Sequence, residues 1–183
     1  MRASGAGGEH LAPMPKDSIN MAIAAPQARL GVDEGAAAAG PRQHSPDAME
    51  IWGNASTYNM NTALIQCIRT GEYWNRAMAD DEITVPNMID EIYMNVHHLE
   101  PFTSKNPHLV ASTAFCCLYK LLTMRLTPAE LTTMITHKDS PYIRAVGFLY
   151  LRLVCEPKNL WSWFRPYVSD KAALTVAQRG QAT

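Results

Sequence analysis

The imidazoles His97, His98, His108 and His137 are the side chains best suited to hold a metal ion, and the adjacent pair His97-His98 is where such a site would start. Their spacing works against it. Neighbouring residues on a helix point about 100° apart, and no H-E-x-x-H pattern places two of them on one face. Surface or capping imidazoles are the expectation. Cys67, Cys116, Cys117 and Cys155 form no C-x-x-C pair, and Cys116-Cys117 lies in an apolar run, where thiols act as small buried hydrophobes. Unpaired cysteines of this kind fit a reducing compartment. Asp90-Glu91 offers two carboxylates, but adjacent helical positions diverge, and carboxylates early in a helix answer its macrodipole. No phosphate-binding glycine loop and no nucleophile elbow is present. The residues predict no catalytic group, no metal and no cofactor. The enzymatic rival is a cryptic hydrolase or transferase site built from His97, His98 or Cys116.

Two segments can bind rather than react. Lys158, Trp161 and Arg165 combine charge with an aromatic face, the pairing that stacks on single-stranded RNA. Trp161 and Trp163 are two residues apart, so a helix turns one inward and the other outward, and a terminal helix pinned by tryptophan is the competing reading. Tyr142, Arg144 and Arg152 share a second helical segment, where exposed Tyr and Arg suit a protein-binding hot spot and a solvated face is the alternative. Sixteen Lys and Arg nearly balance seventeen Asp and Glu for a net charge of −1, so no general electrostatic pull toward a phosphate backbone exists.

The elements that must position these residues are helical. Apolar types make up 47% of the 183 residues, enough for one ordinary core. Residues 1–48 are rich in Ala, Gly and Pro without a sustained amphipathic period, and are expected to be a disordered leader, with a short helix over 20–30 interrupted by Pro26. The N-terminus lacks the continuous apolar core of a signal peptide, and no stretch approaches the roughly 20 apolar residues that cross a bilayer. Residues 49–170 carry helical periodicity and helix punctuation.

The spacing predicts a helix over 59–69 stopped by Gly71, a short one over 73–79, and a third from Pro86 that turns Ile89, Ile92, Tyr93 and Val96 inward. A long central helix over 107–124 is expected to offer Val110, Ala114, Phe115, Leu118, Leu121 and Leu122 to the core. Thr127-Pro128-Ala129-Glu130 reads as a capping box, and Asp139-Ser140-Pro141 as the start of a helix ended by Glu156-Pro157. A last turn or two holds Leu160 to Phe164, and the tail over 171–183 is expected to continue as a frayed helix through Ala172, Leu174 and Val176, ending at Gly180. Six or seven short helices with tight connections predict an all-α orthogonal bundle.

Eight blocks then carry a resemblance. Ile51-Trp52-Gly53-Asn54, Asp90-Glu91-Ile92-Tyr93, Leu99-Glu100-Pro101-Phe102 and Ser112-Thr113-Ala114-Phe115-Cys116 come first. Ile135-Thr136-His137, Asp139 to Ala145, Gly147-Phe148 and Leu160 to Phe164 follow. In this order they resemble the domain of the pre-mRNA-splicing factor 38 family, with spacing nearer its 38B-like branch. Two features depart from the pattern: residues 103–110 stand where that branch has a glycine-rich insertion, and the sequence shows no Arg/Ser-rich run after the tryptophan block.

The resemblance implies a nuclear, non-catalytic helical scaffold that joins the spliceosome before catalytic activation. It implies partners among tri-snRNP components, including a microfibrillar-associated protein 1-like chain and a zinc-finger splicing protein, with RNA contact indirect or weak; no membrane is expected from the missing apolar span, and a monomer within a large complex is the default expectation. Helix-in-groove docking explains how such a bundle works. The partner-binding residues expected on this basis are Glu91, Tyr93, Asp139, Tyr142 and Arg144, with Asp139 as a helix cap and Tyr93 as a buried ring for their structural alternatives. The rival binding mode is direct single-stranded RNA contact through Lys158, Trp161 and Arg165.

Overall fold

A helix needs partners for its first free amides, and side chains supply them at five of the six α-helix starts among the described residues. In the computed structural model, which describes residues 45–103 and 109–177, Asn61 caps α1 (Thr62–Thr70) and Thr84 with Asn87 forms a capping box on α2 (Val85–Asn95). Ser112 caps α3 (Thr113–Met124), and Thr127 with Glu130 makes the expected box on α4 (Pro128–Ile135). Ser140 caps α5 (Pro141–Val154), a role the sequence left open to Asp139. Only α6 (Pro157–Phe164) starts without a side-chain cap. A π-helical turn (Trp74–Met78) follows α1, and a 3-10 turn (Arg165–Tyr167) follows α6. The expected leader and its helix over 20–30 fall almost wholly outside the described residues, as do His108 and Gly180.

Helices α3 and α5 form the centre. α3 packs on α1, α2, α5 and the π turn, while α5 also contacts α2, α4 and α6. Leu118, Leu121, Leu122, Ile143, Val146 and Tyr150 are fully buried between them, each large apolar side chain contributing roughly 1.5–3 kcal/mol of transfer free energy. Gly147 permits the close approach of α5 to α4: a Cβ there would stand 2.9 Å from Ile135 Cγ2 and 3.2 Å from Met134 Cβ. The stacked rings of Phe148 and Phe164, 5.2 Å between centroids, hold α6 against α5.

Three expectations are corrected. The long central helix begins at Thr113 rather than near residue 107, because Phe102 and Ala111 form an antiparallel bridge. Thr103 N–H donates to the Val110 carbonyl at 2.9 Å and Ser112 N–H to the Pro101 carbonyl at 2.8 Å, so the backbone there is spent on pairing between two segments of the chain. Val110 is consequently exposed instead of in the core. Tyr93 is also exposed, since the inward stripe of α2 runs through Met88, Ile92 and Val96. Finally, residues 171–176 are not helical.

The Trp52-Gly53-Asn54 block has a local physical reason. Asn59, at φ 57°, donates its amide to Trp52 O at 2.6 Å and Leu153 O at 2.7 Å, and accepts from Asn54 N–H at 2.8 Å. Gly53 adopts φ +93°, and a Cβ there would sit 2.6 Å from Asn59 Oδ1. One side chain thus ties the entering chain to the end of α5. Asn59→Ala removes three hydrogen bonds and a residue type that tolerates left-handed backbone, so a loss of about 2 kcal/mol is expected. A urea melt checks it, and an unchanged midpoint would show that the chain enters the bundle without this tie.

Candidate protein-interaction site

The paired carboxylates Asp90-Glu91 lie in the middle of α2, whose first turn holds no acidic residue, so the macrodipole does not explain them. Glu91 instead accepts hydrogen bonds from the Tyr73 hydroxyl and from Asn95 Nδ2, the latter at 2.8 Å. Burial, then this hydrogen bond to Glu91, raises the Tyr73 phenol far above its ordinary range. Glu91 therefore ties α2 to the π turn. Tyr93, two residues on, points about 200° away and is 54% exposed, beside Met94 at 67%.

At the start of α5 the expected site residues come together. The Tyr142 hydroxyl donates to the His97 carbonyl at 2.8 Å and accepts from Thr175 N–H at 3.2 Å. Arg144 donates to the His137 carbonyl at 2.7 Å and, through Nε, to Asp170 Oδ2 at 3.1 Å. Neither residue is the freely exposed group that helical spacing suggests, whereas Arg152 is. Asp139 is exposed, and its N–H donates to His137 Nδ1 at 3.3 Å. The segment after residue 170 is the reason for this engagement, and nothing in its amphipathic pattern signals it. It crosses the face of α5 and ends with the Leu99 N–H donating to the Val176 carbonyl at 3.0 Å.

This strap forms one wall of an apolar groove of about 410 Å³, with Leu99, Phe148, Leu149 and Phe164 on the other sides. The Asp170 carboxyl lies below its ordinary 3.8, first because Ala172 N–H hydrogen-bonds to it and then because Arg144 faces it. A depressed carboxylate keeps its contribution above the ordinary value and loses it as pH falls through the lower folded value. The Ala172 amide resonance is expected to hold steady from neutrality to about pH 5 and to shift only in stronger acid. A transition near neutrality would assign control of the strap to another group.

The remaining chemistry-bearing residues are dispersed. Among the described residues no three His, Cys, Asp or Glu side chains gather as for a metal ion. His98 Nδ1 accepts from Glu100 N–H and His137 Nδ1 from Asp139 N–H, each at 3.3 Å, which are local capping roles. Cys116 and Cys117 are buried; burial pushes the Cys116 thiol up to about 12 and raises Cys117 further, so neither is a ready thiolate. In the aromatic-basic segment, Trp161 is 64% exposed while Trp163 packs on the core, the division their spacing predicts. Arg165 is exposed, and Lys158 pairs with Glu156 at 2.8 Å.

Comparison with known proteins places this geometry. Pre-mRNA-splicing factor 38B of Homo sapiens is 34% identical over 151 residues, covering 73% of this chain and 28% of that protein. Pre-mRNA splicing factor SR-like 1 of Arabidopsis thaliana is 47% identical over 136 residues, covering 73% of this chain and 34% of that protein. The chain thus spans about a third of the length of these relatives. The same fold occurs in the Snu23–Prp38–MFAP1 complex of Chaetomium thermophilum, at a TM-score of 0.62 and 20% identity, over 71% of this chain and 65% of that one. Residues 49–183 match the PRP38 family, so the helical unit organised around α3 and α5 belongs to that family.

Proposed function

We propose that this chain is a non-catalytic scaffold of the nuclear pre-mRNA splicing machinery, acting before catalytic activation by docking segments of other spliceosomal proteins. The observation that carries the reading is the family match across 49–183. The neighbouring fold in a complex with Snu23 and MFAP1 supports partners of that kind. The site's chemistry agrees with binding rather than turnover: Glu91 is bound to Tyr73 and Asn95, and the Cys116 and Cys117 thiols are held protonated by burial.

The docking surface draws on exposed Tyr93 and Asp139 and on the Tyr142–Arg144 start of α5, with Glu91 holding α2 in place. An exposed tyrosine on a rigid helix loses little entropy when it is covered, which suits an interface anchor. Tyr93→Ala is expected to weaken capture of a Snu23-type or MFAP1-type fragment by roughly tenfold or more while the melting curve is unchanged. Unaltered affinity would remove Tyr93 from the interface. Exposed Trp161 beside Arg165 favours a second reading, direct contact with single-stranded RNA. That reading requires an affinity that falls steeply with salt and is lost in Trp161→Ala.

A further inference from the structure

The strap over residues 170–176 is attached by few bonds, and they alternate in kind. Asp170 reaches Arg144 at 3.1 Å, Thr175 N–H reaches the Tyr142 hydroxyl at 3.2 Å, and the Val176 carbonyl reaches Leu99 N–H at 3.0 Å. Ala172 and Leu174 lie between, on the rim of the groove, and the groove remains open beside them. The latch is exposed on the strap's side only: Asp170's side chain is 38% accessible while that of Arg144 is 13% accessible. Arg152 also lines the groove, and it makes no hydrogen bond or ion pair among the described residues. An apolar trough with one arginine satisfied by the chain's own carboxylate and a second arginine unpaired is complementary to an acidic and aliphatic peptide.

We propose that this groove is a docking surface for a peptide segment of another protein that carries carboxylates for Arg144 and Arg152 with small and aliphatic side chains between them, and that the strap is a resident intramolecular competitor which such a segment displaces. The strap itself shows the chemistry that fits, because Asp170, Ala172 and Leu174 are an acidic residue followed by a small and an aliphatic one. A tethered occupant lowers the apparent affinity of an outside ligand by the fraction of time the groove is open. Displacement moves the Leu99 and Thr175 amides into new surroundings, so the loop after α2 and the strap itself report on groove occupancy. The inference deepens the scaffold reading and rests on it only for the identity of the natural partner.

A labelled peptide copying residues 170–177 is the probe. It is titrated by fluorescence anisotropy against the full chain and against Asp170→Ala/Thr175→Pro, which unlatches the strap at two exposed positions without touching the core. Circular dichroism establishes that the fold is kept, and a chain ended after residue 169 serves as the second open form. Binding at least roughly tenfold tighter to the open forms is expected, with loss on adding Arg144→Glu and partial recovery with a probe carrying Lys in place of its Asp. Equal affinity for closed and open chains, no binding to either open form, or displacement of the probe by a single-stranded oligonucleotide instead of acidic-aliphatic peptides would overturn the proposal. Probe binding without capture of any splicing protein would leave the groove assignment standing and sink the scaffold reading. Capture of splicing proteins equally by closed and open chains, with no competition from the probe, would do the reverse.

Discussion

Lys120→Ala is expected to lower the unfolding free energy by about 3 kcal/mol, the first of two large effects that expose how this bundle is built. Lys120 sits in the middle of α3 and is 1% exposed. Its ammonium donates to the Asp80 carbonyl at 2.5 Å, tying the centre of the core to the loop between the π turn and α2. Alanine deletes a long buried stem and leaves a cavity of the kind that costs about 2–5 kcal/mol when a Met-sized side chain is removed, and it strands the Asp80 carbonyl as well. Lys120→Met separates the two contributions. It keeps the stem's volume and loses only the charged donor, so about 1–2 kcal/mol is expected. Urea unfolding of both variants checks the pair, and equal small losses would mean that the ammonium reaches water as easily as the loop.

The second large effect is at Gly147. A Cβ at this position meets the Ile135 Cγ2 methyl at 2.9 Å and the Met134 Cβ at 3.2 Å. The methyl can swing aside, but Met134 Cβ is fixed to the α4 backbone. Gly147→Ala also recovers up to about 1 kcal/mol of helix propensity, so its net cost is expected to stay near 1 kcal/mol. Gly147→Leu has no such relief and must push α4 away from α5, for an expected loss of about 3 kcal/mol. Thermal melts of the two variants should therefore differ clearly, and a Leu variant as stable as the parent would show that the α4–α5 contact is loose.

Much of the helical frame was legible because helix ends are written in local chemistry. Thr127 and Glu130 sit at the spacing of a capping box and make one, and Gly71 follows the last turn of α1 as its C-cap. What escaped was set by contacts distant in sequence. The stretch before Ser112 has apolar residues at helical spacing, but Ala111 pairs with Phe102, so the helix starts at the serine cap instead. Lysine is ordinarily a surface residue, and its burial in α3 is matched by a bond to the Asp80 carbonyl that no local pattern signals. Asn59 resembles a helix start, whereas its amide serves carbonyls seven and ninety-four residues away.

The candidate site was legible in the same uneven way. The blocks that contain Glu91 and Tyr142 to Arg144 mark regions where the structure concentrates long-range hydrogen bonds, yet pattern alone cannot say which atoms those residues hold. Glu91 bonds Tyr73 across the bundle, and Arg144 bonds a carboxylate twenty-six residues on. Neither pairing has a period to find. Trp161 and Trp163 were easier, since two positions on one short helix must face different ways and only one can reach the core.

The most direct test of the scaffold account is affinity purification of the tagged full chain from nuclear extract, at low and moderate salt, with and without nuclease. The account predicts that tri-snRNP proteins, including the Snu23-type and MFAP1-type partners, co-purify and stay bound after nuclease treatment and at the higher salt. Recovery of RNA alone, or of no splicing component, would contradict it.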